Sequence, residues 1–266
     1  MRANKAIHMM LASLVTAICL GPAAGLAGAQ TTAERGREIV TKFSNAVITV
    51  RLAAKLRMAI EGREMQEEES TSEITATVID PSGLTVCALS EADPTAAIAA
   101  MAADEEGYKF EVDITDVKLR LADGKELPAK IVLRDKDLDL AFLRPDPAPE
   151  QPLAAVDLSA SAKSDLLEEV VILDRMAEVA NRVPAAVLDQ ISGVIQKPRL
   201  MYVPGPNGQA SSLGAPVFTP DGKVIGILVN RFPPPGVARE ERGPLTVLLP
   251  AEDVLEVAKQ VPARKQ

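Results

Sequence analysis

Two adjacent serines, Ser211 and Ser212, stand in the run QASSLGAPVFTPDGKVIGILVN at residues 209–230. A serine in a tight, glycine-containing turn, followed by a strand, an Asp-Gly turn and a buried strand, suits the presentation of an alcohol as a nucleophile. Such an alcohol attacks only when a neighbouring base takes its proton, and imidazole is the usual base. The chain has one histidine, His8. Arg2 and Lys5 precede a largely apolar stretch, 6–26, and Ala27-Gly28-Ala29 is a small-x-small cleavage site. Residues 1–29 are therefore expected to be a signal peptide that is removed on export. Gly21, Pro22 and Gly25 cut the apolar run below the ~20 residues a membrane span needs. Bulky Ile18 argues against a lipid anchor on Cys19. After cleavage no histidine remains, and a secreted or periplasmic chain is expected.

Composition narrows the chemistry further. Lys and Arg number 29 against 37 Asp and Glu, a net charge of −8, and loss of Arg2 and Lys5 makes the remainder more acidic. That surface repels nucleic acid and anionic membranes, so neither is expected as a partner. Cys87 is the one cysteine outside the leader, which excludes an internal disulfide. In its apolar strand it is expected to be a small core hydrophobe. Without histidine the usual zinc sites are out of reach, and no Asp-x-Asp-x-Asp-Gly loop occurs. No metal and no cofactor are expected.

The elements that must position the serines read as short β-branched or apolar runs between turns, a barrel or sandwich pattern. Residues 31–42 read as a helix and 46–50 as a strand. The charged stretch 63–71, with Glu67, Glu68 and Glu69, lacks periodicity and is expected to be a long loop. Strands 74–80 and 84–89 form a hairpin about Pro81-Ser82-Gly83, and the alanine-rich 93–108 suggests a short helix. Strands 117–121 and 129–133 flank an Asp123-Gly124 turn, and 138–143 closes this half. Pro145, Pro147 and Pro149 mark a linker, since proline cannot donate to a ladder. The second half repeats the pattern at 169–173, 185–196, 200–203, 216–219, 224–230 and 245–249, then a helix over 250–260. The division expected is a first unit at 30–150 and a second at 151–266.

Five motifs in order resemble the protease domain of the HtrA/Deg group of trypsin-like serine proteases, over about 44–261. The family's Thr-Asn-x-His-Val segment falls on Thr85-Val86-Cys87-Ala88-Leu89-Ser90, and its Leu-x-Asp-Gly hairpin on Leu121-Ala122-Asp123-Gly124. Its Asp-x-x-x-Asp-Leu-Ala segment falls on Asp135-Lys136-Asp137-Leu138-Asp139-Leu140-Ala141. The Gly-Asn-Ser-Gly-Gly turn falls on Ala210-Ser211-Ser212-Leu213-Gly214, and the late Ala-Ile-Pro-Ser on Leu248-Leu249-Pro250-Ala251. The resemblance implies two chymotrypsin-like six-stranded antiparallel β-barrels, with a short N-terminal helix and a C-terminal helix. Relatives usually continue into a PDZ module, and none is expected here. By analogy with family trimers, residues 31–42 would support a homo-oligomer.

The departures decide what the resemblance implies about activity. Asp139 and Ser212 are kept, but Ser90 stands where the family has its catalytic histidine, and a serine hydroxyl cannot serve as that base. Ala210 and Leu213 replace glycines in the turn whose amides would form the oxyanion hole, and Leu213 would push a branched chain toward the cleft. A lysine base would need burial, and Lys136, Lys163 and Lys197 cannot be placed in the cleft from sequence. The expectation is a catalytically inactive homologue that binds a protein or extended peptide. The alternatives are an active serine endopeptidase using Ser212 with a non-histidine base, or a structural envelope domain. Phe232-Pro233-Pro234-Pro235 is a stiff segment near the family's specificity pocket.

Overall fold

The computed structural model describes residues 30–60, 63–93, 95, 108–232 and 244–264. The leader with His8, nearly all of the helix expected in 93–108, and the prolines after Phe232 lie outside the described residues.

Apolar alternation and turn placement produce two closed antiparallel barrels. In the first, β1 (Val47–Ile60), β2 (Arg63–Val78), β3 (Thr85–Ala88), β4 (Tyr108–Arg120), β5 (Glu126–Asp135) and β6 (Leu140–Pro145) run in the order β1-β2-β3-β6-β5-β4. In the second, β7 (Glu169–Arg175), β8 (Pro184–Ile195), β9 (Met201–Pro204), β10 (Pro216–Phe218), β11 (Val224–Arg231) and β12 (Leu245–Pro250) run β10-β11-β12-β9-β8-β7. This is the fold class expected.

One expected loop is a strand. Residues 63–71 belong to β2, which pairs with β1 along its length, with Arg57 opposite Glu67 and Lys55 opposite Glu69. Lys55 Nζ lies 2.7 Å from Glu67 and 3.0 Å from Glu69. Opposite charges across the ladder sustain pairing where no apolar face exists, which is why apolar periodicity gave no sign of it. β4 lies on the other side of β1, pairing out to Tyr108 opposite Ile60.

Helix α1 (Thr32–Phe43) opens with a capping box: the Glu34 amide donates to Thr31 Oγ1, and the Thr31 amide donates to Glu34 Oε2. Although it precedes the first barrel in sequence, α1 lies on the second. Ile39 is buried, Gly36 faces Val171 and Leu188, and Thr32 Oγ1 donates to Glu169. A shared core joins the barrels. Val86, Leu140 and Phe142 of the first pack with Phe218, Val229 and Leu249 of the second, and with Val254 of the closing helix, Ala251–Ala258. Phe43 stacks on Phe218 with ring centroids 4.8 Å apart.

Candidate functional site

Asp139 opens β6 from a left-handed backbone conformation, φ 56°, which Asp tolerates better than most residues. The residue is 3 % exposed, and its carboxylate faces Ser90, in the single helical turn Leu89–Ala92 that follows β3. The Ser90 amide donates to Oδ1 at 2.7 Å, the Ser90 hydroxyl to Oδ2 at 3.0 Å and the Asn230 amide to Oδ2 at 2.8 Å. Burial raises the Asp139 pKa, and these donors partly offset it. Thus Ser90 and Asp139 meet, in a pair already satisfied by its own donors.

Ser212 sits between the short helix Pro206–Gln209 and β10. The turn is fixed by Gly214, φ 80°, where a Cβ would lie 2.4 Å from the Thr75 carbonyl. Its amide donates to Leu228, and its carbonyl accepts from the Thr77 hydroxyl at 2.8 Å. Glycine alone satisfies both that backbone angle and that approach. Leu213, expected to project toward the cleft, is instead buried and does not line the cavity at Ser212. Among the described residues the Ser212 hydroxyl has no hydrogen-bond partner.

Four amides of this turn, those of Ala210, Ser211, Ser212 and Gly214, are engaged within the protein. Those of Ala210 and Ser211 donate to Asn207 and Gly208. That of Ser212 donates to Asp174 Oδ2 at 2.9 Å. Asp174, at the end of β7, is 9 % exposed, and its other oxygen accepts from the Thr75 hydroxyl and the Arg175 amide. The segment after it is clamped to the first barrel. The Arg175 guanidinium donates to the carbonyls of Val47, Ser44 and Arg182, and Arg182 forks onto Glu73 at 2.6 and 2.9 Å. Sequence reading missed Asp174. Its only sign was a carboxylate directly after the apolar run of β7, and its role depends on tertiary placement.

Ser212 lines a cavity of about 130 Å³ together with Thr49, Thr75, Glu91, Arg175 and Met176. Burial, then the charges of Asp139 and Asp174, push the Glu91 carboxyl up to about 7. A group able to exchange a proton near neutrality therefore borders the same cavity as Ser212, which the sequence reading did not anticipate. Lys136, Lys163 and Lys197 are exposed and line no part of it. Cys87 is fully buried, and burial drives its thiol pKa upward, so it is a core residue as expected.

The family model described as the trypsin-like peptidase domain matches residues 74–227, more than half of the chain. No curated protein matches. Among solved structures, the apo form of the MamO protease domain from Magnetospirillum magneticum is similar. It has 11% identity and a TM-score of 0.48, covering 81% of this chain and 97% of that one.

Proposed function

The chain belongs to the trypsin-like peptidase family, and from that premise we propose that it binds an extended protein or peptide segment between its barrels without cleaving it. The observation that carries this reading is the bond from the Ser212 amide to Asp174. Acyl transfer by a serine needs that amide free to receive a developing negative charge. Here a carboxylate already occupies it, so an oxyanion would lose its donor and meet a like charge. Loss of one such donor costs about 10²–10³ in turnover, and loss of a triad base about 10⁴–10⁶. Loss of the base alone leaves only the residual acceleration that binding and the oxyanion hole supply.

Binding outlasts such losses, because strand-like peptides are held by main-chain hydrogen bonds that need no nucleophile. Labelled extended peptides are expected to show saturable fluorescence anisotropy, unchanged in Ser212→Ala, with no new fragments by mass spectrometry. Fragments that vanish in Ser212→Ala would refute the reading. Export belongs to the same proposal, and intact-mass measurement on exported material is expected to give a chain beginning at Gln30.

One observation favours a second reading, an active endopeptidase in which Glu91 takes the Ser212 proton. Its pKa of about 7 suits a general base. That reading requires cleavage that rises with pH through about 7 and is lost in Glu91→Gln.

A further inference from the structure

A second concavity lies away from Ser212 and shares no lining residue with its cavity. Its volume is about 360 Å³, between Lys130 and Val132 of β5, Arg144 and Pro145 of β6, Asp146, and the segment Pro262, Ala263 and Arg264 that follows the closing helix. Three cations thus converge from three segments of a chain whose net charge is −8.

The charges do not cancel there. Lys130 Nζ meets Asp146 Oδ2 at 2.6 Å, and that pairing holds the Asp146 carboxyl below its usual range. Arg144 and Arg264 form no ion pair among the described residues, although the Arg264 charge also acts on Asp146 from further off. Each donates one N–H to a backbone carbonyl: Arg144 Nη1 to Pro262 at 2.5 Å, and Arg264 Nη2 to Pro145 at 3.1 Å. A guanidinium carries five N–H groups in a planar fork. The carbonyl bonds therefore fix the two heads in place and leave most of their donors open.

The rest of the lining is apolar: Val132, Pro145, Pro262 and Ala263. Paired guanidiniums accept a carboxylate or phosphate through parallel hydrogen bonds. A bare phosphate has no use for the apolar wall, whereas a carboxylate on an apolar stem satisfies both parts. We propose that this groove binds a carboxylate carried on an apolar stem, its oxygens on Arg144 and Arg264 and its stem against Val132 and the prolines.

The test uses the exported chain, with binding read by calorimetry and by NMR shifts of the groove residues. The probes are N-acetyl-leucine, a hexapeptide ending in free leucine, the C-terminal amides of both, and inorganic phosphate. Both acids are expected to saturate below roughly 10 mM, since two charge-assisted contacts on a small ligand give millimolar rather than tighter binding. Tighter binding of the hexapeptide identifies a peptide chain end as the source, and equal binding identifies a small organic acid. The amides should bind at least about tenfold more weakly, as should Arg144→Gln and Arg264→Gln toward the acids. Asp146→Asn removes the acidic residue among the described lining residues and should tighten binding. Arg264 is exposed and follows the last helix, so its variant leaves the barrels folded even if Arg144→Gln does not. No saturation by either acid, amides as tight as acids, tighter binding of phosphate, or indifference to Arg264→Gln would overturn the proposal. Peptide binding at Ser212 would be untouched by that failure.

Discussion

Asp139 and Asp174 are both nearly buried carboxylates, each accepting three hydrogen bonds, but they act on different parts of the site. Asp139 holds Ser90 and the Asn230 amide, whereas Asp174 holds the amide of Ser212 itself. Asp174→Gly should free that amide, while Ser90→His alone should not yield turnover because the oxyanion position stays filled. The double variant should be the first in the series to react with an acylating ester, at a rate measurable by stopped-flow release of the leaving group. Glu91 makes a separate prediction. Its folded pKa, about 7, lies above its ordinary value of 4.5, so the folded state binds this proton more tightly than the unfolded state. Its contribution is complete below about pH 4.5 and is lost as pH rises through about 7. Urea unfolding should show Glu91→Gln more stable than the parent by on the order of 2 kcal/mol at about pH 8, with the gain vanishing in acid. At this scale Ser90, Asp139 and Ser212 were legible because they fall on motif positions. Asp174 and Glu91 were not, because nothing local distinguishes a carboxylate aimed at a distant amide from one aimed at water.

Strands carried most of what the sequence could reveal about elements. The hairpin about Asp123-Gly124 and the strands of the second barrel follow from alternation and turn chemistry. The outer half of the β1–β2 hairpin does not, since its pairing rests on Lys55 and Arg57 facing Glu67 and Glu69. Such a match appears only when the two strands are laid side by side. The segment after β7 depends on Arg175, which is 8 % exposed and donates to three carbonyls from two stretches of chain. Arg175→Met leaves those carbonyls without a donor, and chemical denaturation should show a loss of about 3 kcal/mol. Arg182→Ala removes a more exposed pair with Glu73 and should cost clearly less. The same Arg175 variant should also make the Ser212 amide exchange faster with solvent deuterium, because Asp174 is held by the strand end that Arg175 anchors.

The two barrels are joined by a common core rather than by a linker alone. Phe142 of the first is fully buried among residues of both. Phe142→Ala should destabilise the protein by about 3–5 kcal/mol. It should shift one transition seen by circular dichroism, without splitting it in two. That coupling means the frame shared by the two barrels is held by packing that folding itself requires. If Ser212 is an unactivated alcohol, as proposed, mass spectrometry of the exported protein after treatment with a fluorophosphonate should find it unlabelled. No adduct on Ser212 is expected under conditions that saturate a working serine hydrolase. A stoichiometric adduct at Ser212, absent from Ser212→Ala, would contradict it.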